Sequence, residues 1–421
     1  MSQDPALLRR LFDRAVEAAD PMRSLAGFLP SRPAGRVLVI GAGKASARMA
    51  EAVEAAWGPC EGLVITRYGH ERPTQGIRIA SAAHPVPDQA GVDATGRMLD
   101  LLRGLGPDDF VLALISGGAS ALLCAPAPGV TLDQKQAVNA ALLASGAPID
   151  RMNTVRKHIS RVKGGQLAAA VWPARMLCLM ISDVPGDDPA YIGSGPTVGD
   201  RSTPQDALAV LQDWRIEVPQ AVRDALAQGS GVVAPGDPRL SRVENVIYAA
   251  PRQSLDAAAA LARGLGLAVE ILGDDLQGEA REVAHAQADL ARRRQAVMRP
   301  GDAPLVIFSG GELTVTRRGD GIGGPNAEFC LALALALQGA PGIHALACDT
   351  DGVDGAAEVA GAVIGPQTLA QARTAGLDAR QALDRNDAHG FFGGLGAQVV
   401  TGPTLTNVND FRAILVKPPE V

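Results

Sequence analysis

A few short segments hold most of the residues able to handle a charged ligand. Gly41-Ala42-Gly43-Lys44-Ala45-Ser46 sits where a β-branched run gives way to an Ala-rich stretch. At such a strand-to-helix turn, backbone N–H groups and the positive helix end face any anion; Gly41 and Gly43 allow close approach, and Lys44 adds a point charge. Ser116-Gly117-Gly118-Ala119-Ser120 and Ser194-Gly195-Pro196-Thr197 are small-residue loops rich in hydroxyls and amide donors, suited to phosphate oxygens. The basic run 152–165 (MNTVRKHISRVKGG) gathers Arg156, Lys157, His158, Arg161 and Lys163 in an acidic chain. Read as one helix, it places Arg156 and Lys163 on a common face for anion capture. Two acidic runs follow apolar strands: 182–189, with Asp183 and Asp187, and 349–355, with Asp351. Such carboxylates suit Mg²⁺, which takes one or two of them together with waters and substrate phosphates. Asx-type turns are their plainer use.

Several other chemistries fail on spacing. A Walker A loop needs four residues between its first glycine and Gly-Lys, and only Gly41-Ala42-Gly43 precede Lys44 here. The dinucleotide pattern is met only with Ser46 in its third glycine position, and the next apolar run ends in Thr66-Arg67-Tyr68 without a ribose-binding carboxylate. The 349–355 run is no EF-hand, because its glycine falls fourth and Ala360 stands where the closing Glu belongs. Zinc-type Cys/His spacing and a Gly-x-Ser-x-Gly elbow are both lacking. What remains is anion loops, cationic clamps and metal-capable aspartates. Those are the parts of phosphoryl transfer, where positioning and charge neutralisation do most of the catalysis. The residues alone therefore point to a kinase or another phosphate-ligand enzyme.

The elements that must position them follow a strand–helix rhythm. Candidate strands are 36–43, 62–68, 77–83, 109–118 and 174–184, near-continuous apolar runs separated by helical stretches, as in a parallel sheet covered on both faces. Residues 1–30 read as one or two amphipathic helices, with Leu7, Leu8, Leu11, Phe12 and Val16 at helical spacing. The Gly/Pro-rich stretch 230–242 is the expected domain boundary. After it come candidate strands 243–250, 267–274, 304–313, 342–352, 397–402 and 411–416, with helices 255–265, 278–297 and 326–338 and a surface connection at 292–302. Two α/β domains result, with ligands expected at strand carboxyl ends. Ser-Gly-Gly occurs after a buried strand in both, at 116–118 and 309–311.

Composition narrows the class. With 421 residues, two or three units of roughly 150 residues are expected. A net charge of −6 and 3% aromatic residues argue against nucleic acid, which needs basic patches and stacking rings. No apolar run reaches the roughly 20 residues of a membrane span. Asp4, Asp13, Glu17 and Asp20 leave no apolar signal core, so a cytoplasmic protein is expected. The five cysteines form no Cys-x-x-Cys; Cys124, Cys178, Cys330 and Cys348 lie in apolar runs and are expected as buried thiols. Lysine supplies five of 39 basic residues, and Lys44 and Lys163 stand inside glycine-rich motifs.

The ordered motifs 41–45, 84–88 (HPVPD), 116–123, 153–165, 182–197, 309–315, 323–329, 349–355 and 401–410 resemble those of glycerate 2-kinases over nearly the whole chain. These enzymes combine a glycerate-kinase N-terminal domain with a C-terminal MOFRL domain. The resemblance implies a Rossmann-like, three-layer domain over 1–240, a mixed α/β domain over 241–421 with its MOFRL core at about 303–414, and an interdomain cleft. It implies ATP-dependent phosphorylation of D-glycerate at the 2-hydroxyl, with Mg²⁺, giving 2-phospho-D-glycerate. Lys44 matches the lysine that the family places at its active site. Combined with the residue chemistry, the resemblance leads to the expectation that Lys44 neutralises the transferred phosphoryl group, with Asp351, Asp183 and Asp187 as candidates for orienting the acceptor hydroxyl or holding Mg²⁺. Gly41, Gly43, Ser116, Gly117, Gly118, Ser120, Ser194 and Gly195 bind nucleotide phosphates. Arg156, Lys163 and Asn326 are the expected glycerate-binding residues, and Asp183 and Asp187 the first candidates for Mg²⁺. Many members carry Gly-Gly-Arg-Asn where this chain has Gly323-Gly324-Pro325-Asn326, and Leu313 stands where Thr is frequent. Partners are the two substrates, with a homodimer left open. The rival readings are an NAD(P)H-dependent hydroxypyruvate reductase and a non-catalytic phosphosugar-binding regulator.

Overall fold

The computed structural model describes residues 4–419. The first β-branched runs become Val37–Ala42 (β1), Glu61–Arg67 (β2), Ile77–Ala82 (β3), Phe110–Ile115 (β4) and Arg175–Ile181 (β5), joined by Val243–Ala249 (β6) in the order β3-β2-β1-β4-β5-β6. Pairings from β3 through β5 are all parallel. That order is the doubly wound one, in which the winding reverses between β1 and β4. Both central strands are buried along their whole length, as expected when helices cover two faces. Leu38, Ile40, Ala42, Val111, Ala113 and Ile115 point to one of those faces and share a core with Met98 and Leu167 from the helices Gln89–Leu101 and Gln166–Val171.

The second sheet runs Gln398–Val399 (β11), Gly361–Ile364 (β10), Ile343–Asp349 (β9), Asp410–Val416 (β12), Leu305–Ser309 (β8) and Ala268–Ile271 (β7), in that spatial order. It is mixed, with β7 parallel to β8 and the other pairs antiparallel. Ile307, Ala345, Ala347 and Ile414 pack under the helices Ala280–Ala296 and Pro325–Leu337. On the other face, Phe308, Leu346, Phe411 and Ala413 pack under Asp4–Ala19 and Pro251–Gly264.

Three expectations change. The helix Asp4–Ala19, expected in the N-terminal domain, covers the second sheet instead; its Leu8, Leu11, Phe12 and Ala15 are fully buried there. The Phe12 ring lies 5.7 Å from that of Phe411, and Asp4 accepts from Lys417 at 2.6 Å. Each such buried apolar side chain contributes about 1.5–3 kcal/mol, so the helix belongs where its stripe is covered. Among the described residues the compact units are accordingly 21–248, and 4–20 together with 249–419. The stretch 230–242 is no linker: Val233 exchanges backbone bonds with Gly164 and Asp200, and the following strand extends the first sheet. The helix Ala280–Ala296 runs through the first part of the expected 292–302 connection, and β10 had no counterpart among the expected strands. Residues 1–3 of the N-terminal helical segment and 420–421 lie outside the described residues. All five cysteines are buried free thiols. No helix among the described residues is long and apolar enough to cross a membrane.

Candidate active site

The carboxyl ends of β1 and β4 meet at the point where the winding reverses, the place where open α/β sheets bind ligands. Their loops are tied directly to one another. The Lys44 amide donates to Gly117 O at 2.8 Å, the Ala45 amide to Ser116 Oγ at 3.1 Å, and Ser46 Oγ to Leu114 O at 3.0 Å. From the β2 side, Thr66 Oγ1 donates to Gly43 O at 3.1 Å and His70 Nδ1 to Lys44 O at 3.1 Å.

The glycines answer to this closeness. A Cβ on Gly41 would stand 2.3 Å from Leu114 O, and one on Gly43, whose φ is +143°, would stand 2.1 Å from Ser116 Oγ. Contact between the two loops thus already requires glycine at both positions. Ser116 is fully buried and its hydroxyl braces the Lys44 turn. Gly118 faces the ligand side differently: a Cβ there would come within 3.1–3.2 Å of both the His84 ring and the Lys44 stem. Lys44, Gly118 and His84 therefore converge, with Lys44 and His84 half-buried.

A second set of loops is hydrogen-bonded to the first through Ser120. The helix Ile149–His158 ends at its histidine, because the backbone of 159–161 pairs instead with 125–127. This breaks the single helix expected over 152–165, so Arg156 and Lys163 do not share a helical face. Lys163 lies in a turn, 1% exposed, and donates to Ser120 O at 2.8 Å. Ser120 Oγ donates to Ser194 Oγ at 2.7 Å, and Ser194 Oγ donates in turn to Asn153 Oδ1 at 3.3 Å. Gly164 and Gly165 donate to the carbonyls of Ser194 and Gly195 at 3.2 and 2.8 Å. Gly193, Ser194 and Gly195 all adopt positive φ (59°, 65°, 62°). For the serine this costs of order 1–2 kcal/mol, a strain typical of functional loops.

The cations of this region are crowded. Lys135, 2% exposed, donates to Ile159 O at 3.2 Å. Burial lowers Lys163 to about 7 and Lys135 to about 8; Lys135 pushes Lys163 further down, Cys124 opposes, and Arg156 and Lys157 add smaller lowering effects. Burial also lowers Arg156. Lys157 is spent on Asp200, and His158 bridges Ser230 and Ser202 inside the fold, a structural role. Between pH 7 and 10 the unfolded chain holds the Lys163 proton that the native state has released, so stability rises with pH. Measured against Lys163→Met by denaturant unfolding, the wild type should gain of order 2 kcal/mol between pH 6 and 9. A pH-independent difference would refute this.

The acidic residues separate. Asp183 and Asp187 follow β5 in the same unit as Lys44. Asp187 has φ 52°, and its Oδ1 is buried without a hydrogen-bond partner among the described residues. No group of three or more His, Cys, Asp or Glu suited to a metal occurs among the described residues. Asp351 and Asn326 belong to the other unit. Asp351 accepts from the Val353 amide at 2.8 Å, an Asx turn, and Asn326 is fully buried. There Asp354 accepts from the amides of Asn326 and Ala327 (3.0 and 2.8 Å) and from His389 Nε2 (2.9 Å), capping the helix Pro325–Leu337. Asn326 Nδ2 donates to Asp410 at 2.7 Å, and Arg412 reaches Asp410 and the carbonyls of Gly310 and Gly311. The second Ser-Gly-Gly is therefore closed over an internal guanidinium.

Sequence reasoning missed His84, Lys135, Asn153, Asp354, Asp410 and Arg412 as site or supporting residues. His84 lay in a noted motif, but a single histidine in a Pro-rich loop carries no spacing signal. Buried Arg412 sits in a short apolar run that reads only as a strand, with nothing in it to mark an internal ion pair.

Fold and geometry together define a two-unit α/β protein with a lysine and small-residue loops at the switch point of its first sheet. The model described as Domain of unknown function (DUF4147) matches residues 7–227, and that of the MOFRL family matches residues 305–410. The chain is 51% identical over 414 residues to a “Putative hydroxypyruvate reductase” of Agrobacterium vitis, covering 97% of this chain and 94% of that protein. It is 39% identical over 414 residues to the D-glycerate 2-kinase of Thermotoga maritima, covering 97% and 98%. The crystal structure of glycerate kinase from Thermotoga maritima superposes with a TM-score of 0.88 at 37% identity, covering 98% of this chain and 99% of that one. The chain belongs to the glycerate kinase family.

Proposed function

We propose that this chain transfers the γ-phosphoryl group of ATP to the 2-hydroxyl of D-glycerate, giving 2-phospho-D-glycerate and ADP. The observation that carries the reading is Lys44 at the β1–β4 switch point, beside Gly118 and His84. Lys44 neutralises charge on the phosphoryl group in flight, where the transition state spreads it over the equatorial oxygens. The loops at 116–120 and 193–195 hold phosphate oxygens near it, with Gly41, Gly43, Ser116 and Lys163 fixing their shape from below. Half-buried Arg156 is the cation available to a substrate carboxylate.

Asp183 and Asp187 would hold a magnesium ion on this reading: both are oxygen donors that follow β5, and the Oδ1 of Asp187 is buried without a hydrogen-bond partner among the described residues. Mg²⁺ held there would supply charge neutralisation to the nucleotide phosphates. The deciding experiment incubates the purified chain with D-glycerate, ATP and Mg²⁺, quantifies ADP, and assigns the phosphorylated carbon by ³¹P–¹H NMR. A 2-phosphate is expected; a 3-phosphate or no ADP overturns the reading.

The Agrobacterium vitis relative's name keeps an NAD(P)H-dependent hydroxypyruvate reductase as a second reading. Against it, Ser46 stands at the third glycine position and is buried against Leu114 and Ser116, and β2 leads into Tyr68 where a ribose carboxylate belongs. NADH consumption with hydroxypyruvate and no ADP formation would favour it.

A further inference from the structure

We infer that Tyr68 and the 84–88 loop form the nucleobase subsite of the chain, an inference that rests on the nucleotide reading above. In doubly wound sheets the phosphates lie at the end of the first strand and the ribose and base extend over the end of the second. Here β2 runs into Tyr68, whose side chain is exposed although the chain has only three tyrosines.

The ring is held as a platform. Its amide donates to Ala82 O at 3.3 Å, and its phenol donates to Asp88 Oδ2 at 2.8 Å. Asp88 is fixed in turn by the Gly91 amide, 3.0 Å from its other oxygen, at the start of the helix Gln89–Leu101. Gln136 Nε2 donates to Pro87 O at 2.6 Å and secures the middle of the loop. One end of this loop, His84, packs at Gly118 and the Lys44 stem; the other end, Asp88, holds Tyr68. Between them Val86 is 58% exposed, and Tyr68 is 53% exposed. A fixed aromatic face and an exposed aliphatic side chain thus lead away from the phosphate end of the site. A flat, apolar-faced base is the part of a nucleotide that such a surface suits, because stacking needs a π-face and little hydrogen-bond readout.

The test measures ATP and inorganic triphosphate binding by calorimetry to the full-length chain and to Tyr68→Ala and Tyr68→Phe. Tyr68→Ala should weaken ATP about tenfold while leaving triphosphate within twofold; Tyr68→Phe, which keeps the ring, should stay within about threefold for both. In turnover, Tyr68→Ala should raise KM for ATP about tenfold, with kcat and KM for D-glycerate held. Unchanged ATP affinity in Tyr68→Ala overturns the subsite, as does an equal loss for triphosphate. A wild type that binds ATP with this Tyr68 dependence but makes no phosphoglycerate overturns the kinase reading and leaves the subsite standing. One that binds no ATP overturns both.

Discussion

Lys44→Ala should lower kcat for glycerate phosphorylation by about 10³-fold with little change in thermal stability. The size follows from the role proposed for the lysine: on that reading, a charge held at the switch point acts on the phosphoryl group only as its charge spreads in the transition state. KM for either substrate should move less than kcat, the signature of an interaction realised mainly during reaction. Two bonds that tie the loops at this residue are backbone ones and survive the change. The Lys44 amide holds Gly117 and its carbonyl receives His70, and neither needs the side chain. Lys44→Arg should recover part of the rate, since it restores charge on a bulkier, differently aimed group. Steady-state ADP release on both variants checks this; turnover within tenfold of wild type for Lys44→Ala would remove the residue from the chemistry.

The second large effect is on stability. Arg412→Met should cost about 3–5 kcal/mol, because it strands the buried Asp410 carboxyl and leaves the Gly310 and Gly311 carbonyls without their donor. Burial holds Asp410 up at about 7, and Arg412 opposes that rise. Without the guanidinium the carboxyl moves higher still. The native variant then keeps a proton that the unfolded chain gives up near its ordinary carboxylate value, so stability falls as pH climbs. The deficit of Arg412→Met should be smaller at pH 5 than at pH 8. Adding Asp410→Asn to Arg412→Met should recover part of the loss, since the uncompensated charge is then absent. Urea unfolding at the two pH values tests both points; a pH-independent loss below about 1 kcal/mol would contradict them.

Much of this molecule is readable from its residues. Apolar runs locate β1 to β5 of the first sheet to within a few residues, because parallel strands covered on two faces must be apolar throughout. The short antiparallel β10 of the second sheet has no counterpart among the expected strands. The glycine-rich loops at 41–46 and 116–120 do fall at strand carboxyl ends. Spacing alone failed where tertiary hydrogen bonds compete with local preference. The basic run at 152–165 has helical composition, yet its second half pairs with 125–127 and turns Lys163 inward to Ser120. Composition likewise marked 230–242 as a break, whereas the backbone of Val233 is bonded into the first unit.

The sequence by itself determined the element types, the two-sheet plan and the short list of charged groups, because each is encoded in local period and residue type. Only the tertiary structure decided which sheet the first helix covers, since an amphipathic stripe specifies that it must be buried and not against what. It also decided that Gly41 and Gly43 are required by strand-end contact, that Lys163 braces a loop, and that Lys44 meets Gly118 and His84. Those assignments depend on residues distant in the chain and on the few ångströms between two strand ends, which no spacing along one strand records.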